Sequence, residues 1–121
     1  MRFIKYLIVL AAVLILFSPA RASNTVSYVG NVIEISAIDS DWNSTETRKI
    51  QYIIFVPGAS NDVLVMKEAS ATGPTVVYMK STDGEPRIAY LEGQSADLYL
   101  DYSDCTFNTG AKVLIMLWEK K

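Results

Sequence analysis

The sequence predicts an all-β fold, a small antiparallel β-sandwich or flattened barrel of about seven strands. Three observations carry that expectation. Short runs rich in Val, Ile, Tyr and Thr follow one another from residue 25 to residue 118. Turn signals built on Gly, Pro, Asn and Asp separate them every ~8–12 residues, the spacing of sandwiches and barrels. After residue 22 no stretch repeats its apolar residues with the 3.6 period of a helix.

The first segment belongs to a different class. Residues 2–5 (RFIK) are cationic at both ends, residues 6–17 form an unbroken apolar run, and Ser18-Pro19 ends it. Ala20 and Ala22 then supply small residues at positions −3 and −1 of a cleavage site. This is the layout of a secretory signal, with a signal helix over 1–22 cleaved before Ser23. The run is well short of the ~20 apolar residues that span a bilayer. The expected mature chain, 23–121, is one β-sandwich domain, exported to the periplasm or an extracellular filament and not inserted in the membrane.

The elements follow in order. Residues 25–38 (TVSYVGNVIEISAI) place Val29, Ile33, Ile35 and Ala37 on one face, and Gly30-Asn31 reads as a bulge or bend in one long strand. A polar loop, 39–46, leads to 47–56, which is apolar on both faces: Ile50, Tyr52, Ile54 and Val56 against Ile53 and Phe55. A strand apolar on both faces is expected at the centre of a sheet. Pro57-Gly58 ends it, and 63–67, 75–80 and 87–91 follow with Thr72-Gly73-Pro74 and Thr82-Asp83-Gly84 between them. Residues 96–102 alternate, with Leu98 and Leu100 inward and Asp97, Tyr99 and Asp101 outward. The last run, 112–118 (KVLIMLW), is again apolar on both faces and again expected to be central.

Composition narrows the chemistry. The chain has no histidine and one cysteine, Cys105. That excludes a Ser-His-Asp triad, a Cys-His pair, an imidazole metal site, an internal disulfide and a cysteine-rich zinc site. Arg2, Lys5 and Arg21 are three of eleven basic residues set against thirteen acidic ones, so residues 23–121 carry −5. An acidic domain without a basic cluster is a poor fit to nucleic acid or to an anionic membrane surface. No glycine-rich phosphate loop follows any strand. The chain is therefore expected not to be an enzyme and to use no cofactor.

Several local patterns are candidates for binding. Asp39, Asp41 and Asn43 open like a calcium loop of D-x-D-x-N type, but Ser44 and Ile50 stand where an EF-hand needs Gly and Glu. Such residues also favour tight turns by themselves. Asn43-Ser44-Thr45 matches a glycosylation sequon. The acid pairs Asp101 with Asp104 and Glu85 with Glu92 read either as an acid/base couple or as solvated turn and edge residues. Cys105, beside Phe107, reads as a buried inert thiol, with an intermolecular disulfide or a reactive thiol as the alternative. Among the aromatics, Trp42, Tyr99 and Tyr102 are candidates for a partner interface. For Trp42 the alternative is a ring folded back over one end of the sandwich.

The leader, the helix-poor mature domain and the string VLVMKEASATGPTVVYMKSTDGEPRIAYLEG together resemble the separately encoded globular head of a split type IV pilin, also described as a short pilin chaperone. The resemblance spans the whole chain. It implies an exported subunit that docks on and stabilises a second, short pilin made mainly of the hydrophobic assembly helix, within a pilus-like filament. The chain departs from a one-piece pilin in lacking both a Gly-Phe prepilin cleavage site with an acidic fifth residue and a C-terminal cysteine pair. The alternative function is a small extracellular ligand- or surface-binding module of phage-tail, adhesin or lectin-like kind, with calcium as an optional ligand.

Overall fold

The computed structural model of the chain describes residues 24–118; the expected signal helix lies outside them. Nine strands form two antiparallel sheets: β1 (Thr25–Val29), β2 (Val32–Ser36), β3 (Trp42–Asn43), β4 (Arg48–Val56), β5 (Asp62–Glu68), β6 (Thr75–Ser81), β7 (Arg87–Ala96), β8 (Leu98–Leu100) and β9 (Lys112–Leu117). One sheet has the order β1-β2-β9-β4-β7 and the other β3-β8-β5-β6. The fold is an all-β sandwich, as the turn spacing predicts, with two more strands than expected.

The extra strands have local causes. Gly30-Asn31 is not a bend in one strand but a two-residue hairpin turn, with Val29 paired to Val32. Gly30 has φ +59° at the first turn position, the arrangement of a type II′ turn that suits the twist of a hairpin. The reversal separates the expected face. Ile33 and Ile35 point into the core, Val29 is carried to the outside, and Ala37 sits exposed beyond the end of β2 with φ +47°. The other added strand is the short β3, paired to β8. The expected 96–102 strand is divided: Ala96 ends β7, Leu98–Leu100 is β8, and Tyr102–Asp104 forms a 3-10 turn.

β4 and β9 are central, as expected, each with a neighbour on both sides. A register shift between Ile50 and Tyr52 places Ile50 on the same inward face as Ile53 and Phe55, which simple alternation from Ile50 did not predict. These three pack with Ile33, Ile35, Val113, Ile115 and Leu117 against Leu64, Met66, Val77, Met79, Leu98 and Leu100 of the facing sheet. Each such side chain contributes roughly 1.5–3 kcal/mol by leaving water.

One polar group is built into this frame. The carboxylate of Asp62, fully buried, accepts hydrogen bonds from the backbone N–H of Gly58 (2.8 Å), Ala59 (3.3 Å) and Asn108 (3.0 Å), and from the Asn108 side-chain amide. It ties the turn after β4 to the segment before β9. Gly58 is required there, because a β-carbon would stand 2.6 Å from the Thr109 carbonyl oxygen.

Candidate functional site

The two outer faces of the sandwich differ. On the four-stranded sheet, residues 101–107 bulge out beside β5 as a partial roof and rejoin the sheet at an isolated bridge between Val63 and Thr106, while Tyr78 of β6 stays 63% exposed on the same outer face. Lys67 Nζ lies 2.7 Å from both Asp101 and Asp104 and donates a third bond to the Ala71 carbonyl at 3.0 Å. Hydrogen bonds to Asp101 and then Asp104 hold the ammonium well above its ordinary pKa, and Lys67 with Ser103 holds the Asp101 carboxyl below its own. The Cys105 thiol sits beneath this roof. The Val65 N–H donates to its Sγ (3.1 Å) and the thiol donates to the Val65 carbonyl (3.5 Å). The residue is half-buried rather than buried, and desolvation pushes the thiol pKa up to about 11.

The candidate interface aromatics lie on the four-stranded side, and Tyr102 among them is 38% exposed. Tyr99 donates from its hydroxyl to Asp41 (2.6 Å), which raises the Tyr99 pKa, and the other Asp41 oxygen accepts the Tyr102 N–H (2.8 Å). The Tyr102 ring stands 6.1 Å from Phe107. Trp42 is half-buried and packs against the core, so it folds back over the sandwich rather than facing solvent.

The calcium-type residues diverge. The Asp39 N–H donates to the Asn24 side chain, Asp41 is taken up by Tyr99 and Tyr102, and the Asn43 amide donates to Asp97 (3.1 Å) and the Leu98 carbonyl (3.0 Å). Among the described residues no group of three or more acidic or cysteine side chains is arranged to hold a metal. The sequon amide of Asn43 is thus committed to the fold. Asp101 and Asp104 share a lysine rather than a cleft.

The outer face of the five-stranded sheet is of another kind. Strand register aligns Val29, Val32, Met116, Tyr52 and Tyr90 in one outward row across all five strands. The next row is Ser27, Glu34, Leu114, Ile54 and Ile88. Val29 is 71% exposed, Tyr90 68%, Trp118 56% and Ile88 47%. Tyr52 and Tyr90 pair with ring centroids 6.1 Å apart, and the Trp118 ring leans over Gly93 of β7. Glu34 and Lys112 lie 4.0 Å apart on this face. Exposed Trp and Tyr are side chains favoured as anchors at protein interfaces in general.

Sequence reasoning missed these residues as a group, although their signal was present. β4 and β9 are apolar on both faces, which was read as burial on both sides. Only the inner side has a second layer against it among the described residues. At one end of the sandwich an open groove of about 300 Å³ lies between Ala37–Asp39 and the loop containing Asn108 and Gly110.

The chain matches no family model, no curated protein and no solved structure.

Proposed function

We propose that this protein is a structural and interaction subunit that works by contact, docking its five-stranded face on a short hydrophobic helix supplied by a second polypeptide. The observation that carries the reading is the row Val29, Val32, Met116, Tyr52 and Tyr90, apolar across the full width of the sheet. Five strands at about 4.8 Å spacing make a row ~19 Å wide, room for a helix of ~10 Å diameter and three to four turns. An apolar face with aromatics on β4 and β7 suits an apolar helix, which loses water from its own side chains on docking.

With the resemblance to split type IV pilins, the reading becomes an exported globular subunit of a pilus-like filament that stabilises a helix-only pilin. It uses no cofactor and no catalytic group. Co-purification from membranes and shed filaments tests it. The wild-type protein is expected to bring down a short, helix-only chain, and a Tyr90→Ser, Trp118→Ser variant to lose it while melting within a few degrees of wild type. Equal recovery of the helix by the variant, or no helical chain with the wild type, would sink the reading.

A further inference from the structure

The outward row of the five-stranded sheet has a length, a point of entry and flanking charges, and one segment of this chain matches all three. The row from Val29 to Tyr90 is ~19 Å long at ~4.8 Å per strand spacing. The apolar run, residues 6–17, has twelve residues. Wound as a helix it is ~18 Å long, and being apolar all round it calls for cover from water.

The chain brings that run to this face. Asn24, the first described residue, is pinned: its side chain donates to the Ser40 carbonyl (3.0 Å) and accepts the Asp39 N–H (2.9 Å). It directly precedes β1, the edge strand of the sheet. From Asn24 along β1 to Val29, where the row begins, is ~17 Å at ~3.4 Å per residue. The connection from Phe17 to Asn24 reaches up to ~23–25 Å. Residues 6–17 can therefore cross the row with Phe17 at β1 and Tyr6 at β7. The opposite direction stretches the connection past its limit, because Tyr90 lies a further ~19 Å across the sheet.

Charge agrees with this direction. Residues 1–22 carry Arg2, Lys5 and Arg21 and no acid, against −5 for residues 23–121. Lys5, one residue before the run, arrives at the β7 edge, where exposed Glu92 follows Tyr90 by two residues. The connection returns to Asn24 past Ser27 and Glu34, which brings Arg21 beside Glu34. That acid, in the row next to Val29 and Val32, then lies at the flank of the helix rather than beneath it.

We propose that residues 6–17 are the first occupant of this face. Before cleavage they lie across the row as a helix, and removal of residues 1–22 opens the face to the second polypeptide. A tether of this length sets an effective concentration of about millimolar, so a helix supplied from outside competes poorly until the tether is cut. The opening rests on the docking reading above; the contact within the chain does not.

Disulfide scanning of the full chain, kept uncleaved by Ala20→Gln and Ala22→Gln, tests the contact. In a Cys105→Ser background, Met116→Cys on the middle strand β9 is combined in turn with Leu10→Cys, Ala11→Cys, Ala12→Cys and Val13→Cys, one turn at the middle of the run. At high dilution a crosslink within the monomer is expected at one or two of the four positions and severalfold less at the others. A cooperative melt of each variant shows that the fold is kept. Lys5→Glu with Arg21→Glu should lower the yield severalfold. Absence of crosslinked monomer overturns the proposal. So does equal yield at all four positions, because a docked helix presents one side and a loose apolar tail presents all. The opening is read by co-purification: the exported, cleaved chain is expected to bring down the short helix-only chain and the uncleaved variant to leave it behind. Equal recovery by both overturns the opening. Recovery by neither removes the docking reading, and the opening with it, while the crosslinks remain decisive for the contact.

Discussion

Asp62 shows how a buried charge is kept without a cation. Burial alone would raise its pKa, but the hydrogen bonds from Asn108, Gly58 and Ala59 outweigh that and leave it below the ordinary carboxylate value. A depressed carboxyl pKa adds stability that is present above the unfolded value of ~3.9 and lost as pH falls through the folded one. Asp62→Asn should therefore lose about 1–3 kcal/mol at pH 7. It should also show less loss of stability between neutral pH and pH 3 than wild type does, as read from urea melts at both pH values. Cys105 runs the other way. Its thiol, pushed up to about 11, adds stability below the unfolded thiol value of ~8.5 that fades as pH rises toward 11. In the native protein at pH 8 the thiol should react with a disulfide reagent only as fast as the roof opens, and in urea it should react at once.

The elements owe their placement to a few contacts of long sequence separation. The crossing 101–107 stays on the four-stranded sheet because Lys67 of β5 holds Asp101 and Asp104, and Asp41 holds Tyr102. Lys67→Met is expected to speed Cys105 modification severalfold while the strand content by circular dichroism stays the same; an unchanged rate would show that the bridge between Val63 and Thr106 suffices. None of this roof was legible in the sequence, where Asp101, Asp104 and Tyr102 read as acids and an aromatic on a half-exposed strand. The lysine lies thirty-four residues from Asp101, and nothing local links them. The β1–β2 hairpin, by contrast, was half legible. Gly30-Asn31 was marked as a break, and only its type was mistaken, because a bulge and a two-residue turn both use a glycine at positive φ.

At the scale of the molecule, the two faces differ. One is partly covered by residues 101–107 held by polar contacts, and the other is crossed by aligned, largely apolar rows from five strands. Substitutions on the open face at Tyr90 and Trp118 should cost little stability, since both side chains are more than half exposed, and should show their effect in association. That separation is the reverse of what core residues such as Phe55 or Ile115 would show, where stability fails first.

The sequence by itself determined the all-β class, the position of most strands though not of β3 or the β1–β2 division, and the central place of β4 and β9. These follow from alternation, β-branched composition and turn chemistry, all local properties. It also excluded histidine chemistry and internal disulfides outright. Only the tertiary structure decided which apolar face is covered. Alternation says that a strand has two sides; whether a second layer lies over one of them depends on pairings such as β2 with β9 and β5 with β8, made between residues far apart in the chain. The same long-range packing drew Trp42 against the core and tied Tyr99 and Tyr102 to Asp41, with Tyr102 still 38% exposed. It left Tyr90 and Trp118, ordinary strand residues in the sequence, at the surface where a partner can reach them.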